Sequence, residues 1–79
     1  MGTLHLVKPI GPGNFYRSDI SEIDVTFING KSDSIPGYDV GRLFDENYSS
    51  HIKQIIVHTF SDPEPIEINL SQWIIQEAD

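Results

Sequence analysis

The chain has 79 residues, and its 12 Asp and Glu against 5 Lys and Arg give a formal charge of -7 with histidine neutral. That length predicts one domain over residues 1–79 with one small core, and excludes a second. The absence of cysteine removes disulfides, zinc-thiolate sites, iron–sulfur clusters and a cysteine nucleophile, and suits a reducing cytoplasm.

No apolar run is long enough to span a membrane, and Met1 to Leu6 has neither a basic segment nor a long apolar one, so neither export by that route nor membrane insertion is expected. Twelve Ile and four Val stand against four Leu and one alanine, Ala78, with eight aromatics. β-branched and aromatic side chains fit a pleated, half-buried surface, so the composition predicts sheet first and helix second.

In chain order, Thr3 to Lys8 reads as a strand with Leu4 and Leu6 on one face, stopped by Pro9. Gly11-Pro12-Gly13-Asn14 reads as a turn or loop. From Ile20, the residues Ile23, Val25 and Phe27 alternate against Glu22, Asp24 and Thr26, and the run meets Asn29-Gly30, the pair suited to a type I′ hairpin turn. Its polar return arm, Lys31 to Ile35, has the character of an edge strand. Ile35-Pro36-Gly37-Tyr38 has the pattern of a type II turn.

Asp39 then stands where it would cap a helix whose stripe is Val40, Leu43, Phe44 and Tyr48. Ile52 to Phe60 has apolar residues on both parities, which predicts a central strand with both faces at least partly covered. Pro63 and Pro65 interrupt it, and a last strand starts at Ile66. Periodicity leaves two choices for Trp73 to Gln76: an extension of that strand, or a short helix after Ser71. The fold class expected is α+β, a small, mostly antiparallel sheet of about four or five strands with one helix on a face, in the order β-β-β-α-β-β; the alternative is a small all-β barrel.

Motifs for chemistry are weak. Gly30-Lys31-Ser32 has Val25 where a phosphate-binding loop needs glycine, and it falls on a hairpin turn. His5, His51 and His58 show no ligand spacing, so zinc would have to be assembled across strands from His5 or His58 and a carboxylate; half-exposed strand histidines are the preferred reading. No G-x-S-x-G is present, Asp45-Glu46 and Glu64-x-x-Glu67 read as solvated carboxylates, and Asp62-x-Glu64 lacks the oxygen density of a calcium loop. Neither a catalytic residue, a metal nor a cofactor is expected.

The informative feature is where the charge lies. Residues 1–54 hold seven acids and five bases, whereas residues 55–79 hold Asp62, Glu64, Glu67, Glu77 and Asp79 with no Lys or Arg. Such a field repels nucleic acid and anionic membrane and speeds association with a basic partner. The expected binding residues are therefore Asp62, Glu64, Glu67, Glu77 and Asp79 as an acidic rim, with Trp73 as an aromatic anchor. The function expected is a non-enzymatic protein-binding module for a basic macromolecule, in the limit a nucleic-acid mimic of the phage or mobile-element inhibitor kind. The alternative is a domain that self-associates, as a homodimer, through an apolar surface.

Overall fold

A computed structural model describes residues 3–11 and 13–76. Two antiparallel sheets form, one of three strands and one of four, and neither closes into a barrel. Their inward faces share one apolar cluster.

The three-stranded sheet is centred on β1 (Leu4–Val7), flanked by β2 (Asn14–Arg17) and by the last strand, β7 (Ile74–Gln76). Alternation decides the facing of β1, with Leu4 and Leu6 fully buried and His5 and Val7 outward. Asn14 belongs to β2 and not to the expected loop, because His5 pairs Tyr16 and Val7 pairs Asn14 across a hairpin. Residues 74–76 take neither course expected for them. They leave the preceding strand and pair with β1, placing Ile75 opposite Leu6.

The four-stranded sheet runs β4-β3-β5-β6, with β3 Ile20–Phe27, β4 Ser32–Pro36, β5 Ile52–Thr59 and β6 Ile66–Asn69. The β3–β4 hairpin is where Asn29-Gly30 places it, but its turn differs from type I′. Gly30 has φ of 89° while no other residue type among the described residues has positive φ. Gly30 N–H donates to Phe27 C=O at 3.0 Å and Phe27 N–H to Lys31 C=O at 2.8 Å. This is a three-residue loop closed by a left-handed glycine bulge, and the Asn29 side chain braces it by accepting from Lys31 N–H at 3.0 Å. As expected, β4 is an edge strand.

Two register shifts interrupt the β3–β5 ladder, and the second accounts for the facing of Ile52 in β5. One lies between Ile20 and Glu22 of β3, the other between Thr26 and Phe27, where β5 carries an extra residue. A bulge moves one side chain across the pleat. Ile52 therefore joins Ile55 and Val57 in the core, although it lies three positions from Ile55, and Phe60 ends 80% exposed. The other face of β5 carries Gln54, Ile56 and His58, each half-buried, so this central strand is at least partly covered on both faces, as expected.

The single expected helix is two short pieces. A 3₁₀ run spans Gly37–Phe44, and one α turn, α1, spans Glu46–Ser49. With three residues per 3₁₀ turn, Val40 and Leu43 stack on one side and are buried. Asp45, not Asp39, is the cap, its carboxylate accepting from Asn47 N–H at 3.0 Å. Asp39 instead lies within the 3₁₀ run and pairs with Arg42. No positive φ occurs at Gly37, so residues 35–38 do not form the expected type II turn. A side chain at Gly37 would instead strike the backbone of Ile20.

Candidate functional site

The outer face of the four-stranded sheet is the most distinctive surface. Register places Glu22 and Asp24 of β3 there with His58 of β5, Glu67 of β6, Ser34 of β4 and Gln54 of β5. Each is exposed or half-buried, and the paired positions of this face hold no Lys or Arg, although the exposed bulge residue Lys53 of β5 stands beside Gln54. The reason is the alternation itself: Ile23 and Val25 face the core, so the acids between them must face out.

Within this face three side chains converge. Glu22 and Asp24 are two positions apart on one strand, and His58 stands opposite Glu22 on the next. His58 Nε2 lies 2.8 Å from Asp24 Oδ2, and one ligand atom from each of Glu22, Asp24 and His58 falls within 4.8 Å of the others. Ser34 Oγ donates to Glu22 Oε1 at 2.6 Å, holding that carboxylate from the neighbouring strand. Further along, Gln54 Nε2 approaches Glu67 Oε1 at 3.4 Å.

The residues predicted from charge are only partly brought together. Asp62 and Glu64 are exposed on the loop between β5 and β6, where Asp62 Oδ1 accepts from Glu64 N–H at 3.0 Å, and Glu67 continues onto the outer face. Trp73 is elsewhere. The four residues of β6 separate it from that loop, about 14 Å of strand at the usual rise. It is half-buried, packs against the core, and has Lys8 Nζ 5.2 Å from its ring centroid. Glu77 and Asp79 lie outside the described residues. Glu22, Asp24 and His58 were missed as a group because His58 is 34 positions from Asp24 and only strand register joins them.

Beside the acidic loop, Arg17 clamps the two sheets. Its guanidinium donates to both Asp19 oxygens at 2.9 and 2.8 Å and to Ser61 Oγ at 3.0 Å, while Ser61 Oγ donates to Asp19. Arg17 first, then Ser61, holds the Asp19 carboxyl far below its usual range. A carboxyl lowered on folding adds stability above its ordinary value, near 3.8, and that stability is lost as pH falls from there through the folded value. Both partners are about one-third exposed, so water screens the pair and the effect is small. Asp19→Asn is expected to flatten the loss of stability below pH 3.8 in acid titrations followed by circular dichroism; an unchanged slope would remove Asp19 from that role.

A second concavity, about 630 Å³, opens between the β3–β4 hairpin and α1, lined by Phe27, Ile28, Asp33, Tyr48 and His51. Phe27 and Tyr48 meet edge to face at 5.4 Å. Two of its polar groups are engaged with one another, Tyr48 O–H donating to Asp33 Oδ2 at 3.0 Å, and Arg42 Nη1 lies 3.8 Å from the same oxygen. Burial first, then Asp33, raises the Tyr48 phenol above its ordinary value.

His5 is likewise absorbed, its Nε2 2.7 Å from Asn14 Oδ1 and its ring edge-on to Tyr16. Among the described residues no helix is long and apolar enough to cross a membrane. Comparison with protein-family models, with curated proteins and with solved structures gives no match.

Proposed function

We propose that the chain is a non-enzymatic binding module whose acidic surface engages a basic macromolecular partner, in the limit as a nucleic-acid mimic of the phage or mobile-element inhibitor kind acting in the cytoplasm. One observation carries the reading. Glu22, Asp24 and Glu67 share an outer sheet face whose paired positions hold no Lys or Arg, Lys53 at the β5 bulge being the one such residue among these four strands, and Asp62 and Glu64 extend the negative sign onto the adjoining loop. Two of the five basic residues, Arg17 and Arg42, are already paired with Asp19, Asp33 and Asp39, so they do little to neutralise it.

A surface with this excess of acids raises association rates with oppositely charged partners and disfavours nucleic acid and anionic lipid. Trp73 stands outside this reading, because it packs on the core at the far end of β6. The rival, a homodimer joined by an apolar surface, has Tyr16 at 58% and Ile74 at 48% exposure in its favour, both on the three-stranded sheet.

The experiment is charge reversal at two exposed loop positions outside the core, where the one side-chain contact is local, Asp62 Oδ1 accepting from Glu64 N–H. Asp62→Lys with Glu64→Lys is expected to abolish capture of the basic partner in an affinity pull-down while leaving the circular dichroism spectrum intact. Capture unchanged by that double variant would remove the acidic surface from the binding.

A further inference from the structure

We propose that Glu22, Asp24 and His58 form a surface site for a divalent transition cation, of which zinc is the best fit. The donor set is two carboxylates and one imidazole, and its ligand atoms already lie within 4.8 Å of one another. Zinc bonds to nitrogen and carboxylate oxygen are about 2.0–2.2 Å, so tetrahedral neighbours stand about 3.4 Å apart. Side-chain rotation of the exposed Glu22 brings its oxygen inward, the His58–Asp24 pair opens from 2.8 Å to admit the ion, and a water completes the fourth position.

Charge, backbone and outer contacts each favour the assignment. Two carboxylates balance a divalent cation, and a neutral imidazole adds a donor that zinc prefers over magnesium or calcium. To ligate through Nε2, which stands at hydrogen-bond distance from Asp24 Oδ2 (2.8 Å), His58 gives up its N–H donation to that carboxylate and carries its ring proton on Nδ1. Two adjacent strands of a hydrogen-bonded sheet supply all three ligands, so the backbone holds their spacing. Ser34 orients Glu22 from a third strand and leaves Oε2 free, the kind of outer contact that supports metal ligands. Among the described residues, His58 is the one side chain within bonding distance of Asp24, so no Lys or Arg competes with a cation there.

The inference does not rest on the partner-binding reading, and His58→Ala leaves Asp62 and Glu64 untouched. The test is calorimetric titration of the chelator-treated chain with zinc chloride, beside His58→Ala, Glu22→Gln and a magnesium titration. Expected are one zinc per chain in the micromolar range, a loss of tenfold or more in each variant, and much weaker magnesium binding. In the unaltered protein, the His58 ring resonances should shift on adding zinc, a readout independent of how the variants fold. The assignment is overturned by the absence of one-to-one binding, by zinc binding that His58→Ala leaves unchanged, by His58 resonances that do not move, or by magnesium binding as tightly as zinc.

Discussion

Leu6→Ala is expected to cost about 3–4 kcal/mol, a large share of the roughly 4–12 kcal/mol that a chain of 79 residues commands. Leu6 is fully buried in the central strand of the three-stranded sheet, between Phe15 and Ile75, and belongs to the same apolar cluster as Ile23 and Val57 of the other sheet. Truncating it removes apolar burial and leaves a void that two hydrogen-bonded strands cannot collapse to fill. Because one cluster serves both sheets, they are expected to unfold together. Urea unfolding read by Trp73 fluorescence and by amide exchange in β3 and β5 checks both points. Leu6→Met, close in volume, should cost about 1 kcal/mol or less. Separate transitions for the two sheets would contradict the shared core.

Gly37→Ala is expected to cost about 3 kcal/mol for a different reason, overlap instead of loss. A β-carbon at Gly37 would sit inside the carbonyl oxygen of Ile20 and 2.8 Å from its carbonyl carbon. Both atoms are backbone at the start of β3, which cannot step aside without disturbing the Ile20–Thr59 pairing. Gly41 is the control, since its nearest neighbour would be the Phe44 ring at 4.0 Å, and Gly41→Ala should be neutral or slightly stabilising. Equal urea midpoints for the two variants would show that the close approach of the 3₁₀ run to β3 is not a packing constraint.

These two positions also mark where the sequence was legible and where it was not. The facing of Leu6 follows from strict alternation in β1, and alternation likewise exposes β3 and β6. Gly37 read as a turn glycine because Pro-Gly commonly makes one; its actual constraint is a tertiary contact with Ile20, invisible in local pattern. The three-residue spacing of Val40 and Leu43 fits a 3₁₀ run as well as an α-helix, so the pattern could not separate them. In β5, one bulge sends Ile52 and Ile55 to the same side, although parity counting places them on opposite faces. β2 and β7 are four and three residues long, and β7 exists by pairing with β1 at the other end of the chain.

The candidate site divides in the same way. The outward facing of Glu22 and Asp24 was readable from the residues between them, while their meeting with His58 depends on the register of β3 against β5. Asp62, Glu64 and Trp73 are close in sequence and looked like one surface, but β6 carries the chain away from the loop before Trp73 is reached.

The most direct test of the acidic-surface account is an affinity pull-down from source-cell lysate at low salt, followed by a high-salt wash and mass spectrometry of both fractions. Exposed charge pairs are screened within about 3 Å at 1 M salt, so a basic, nucleic-acid-binding protein released by the wash is the predicted result. Recovery of the chain alone, held through the high-salt wash, would contradict the account and assign the working surface to an apolar interface between copies.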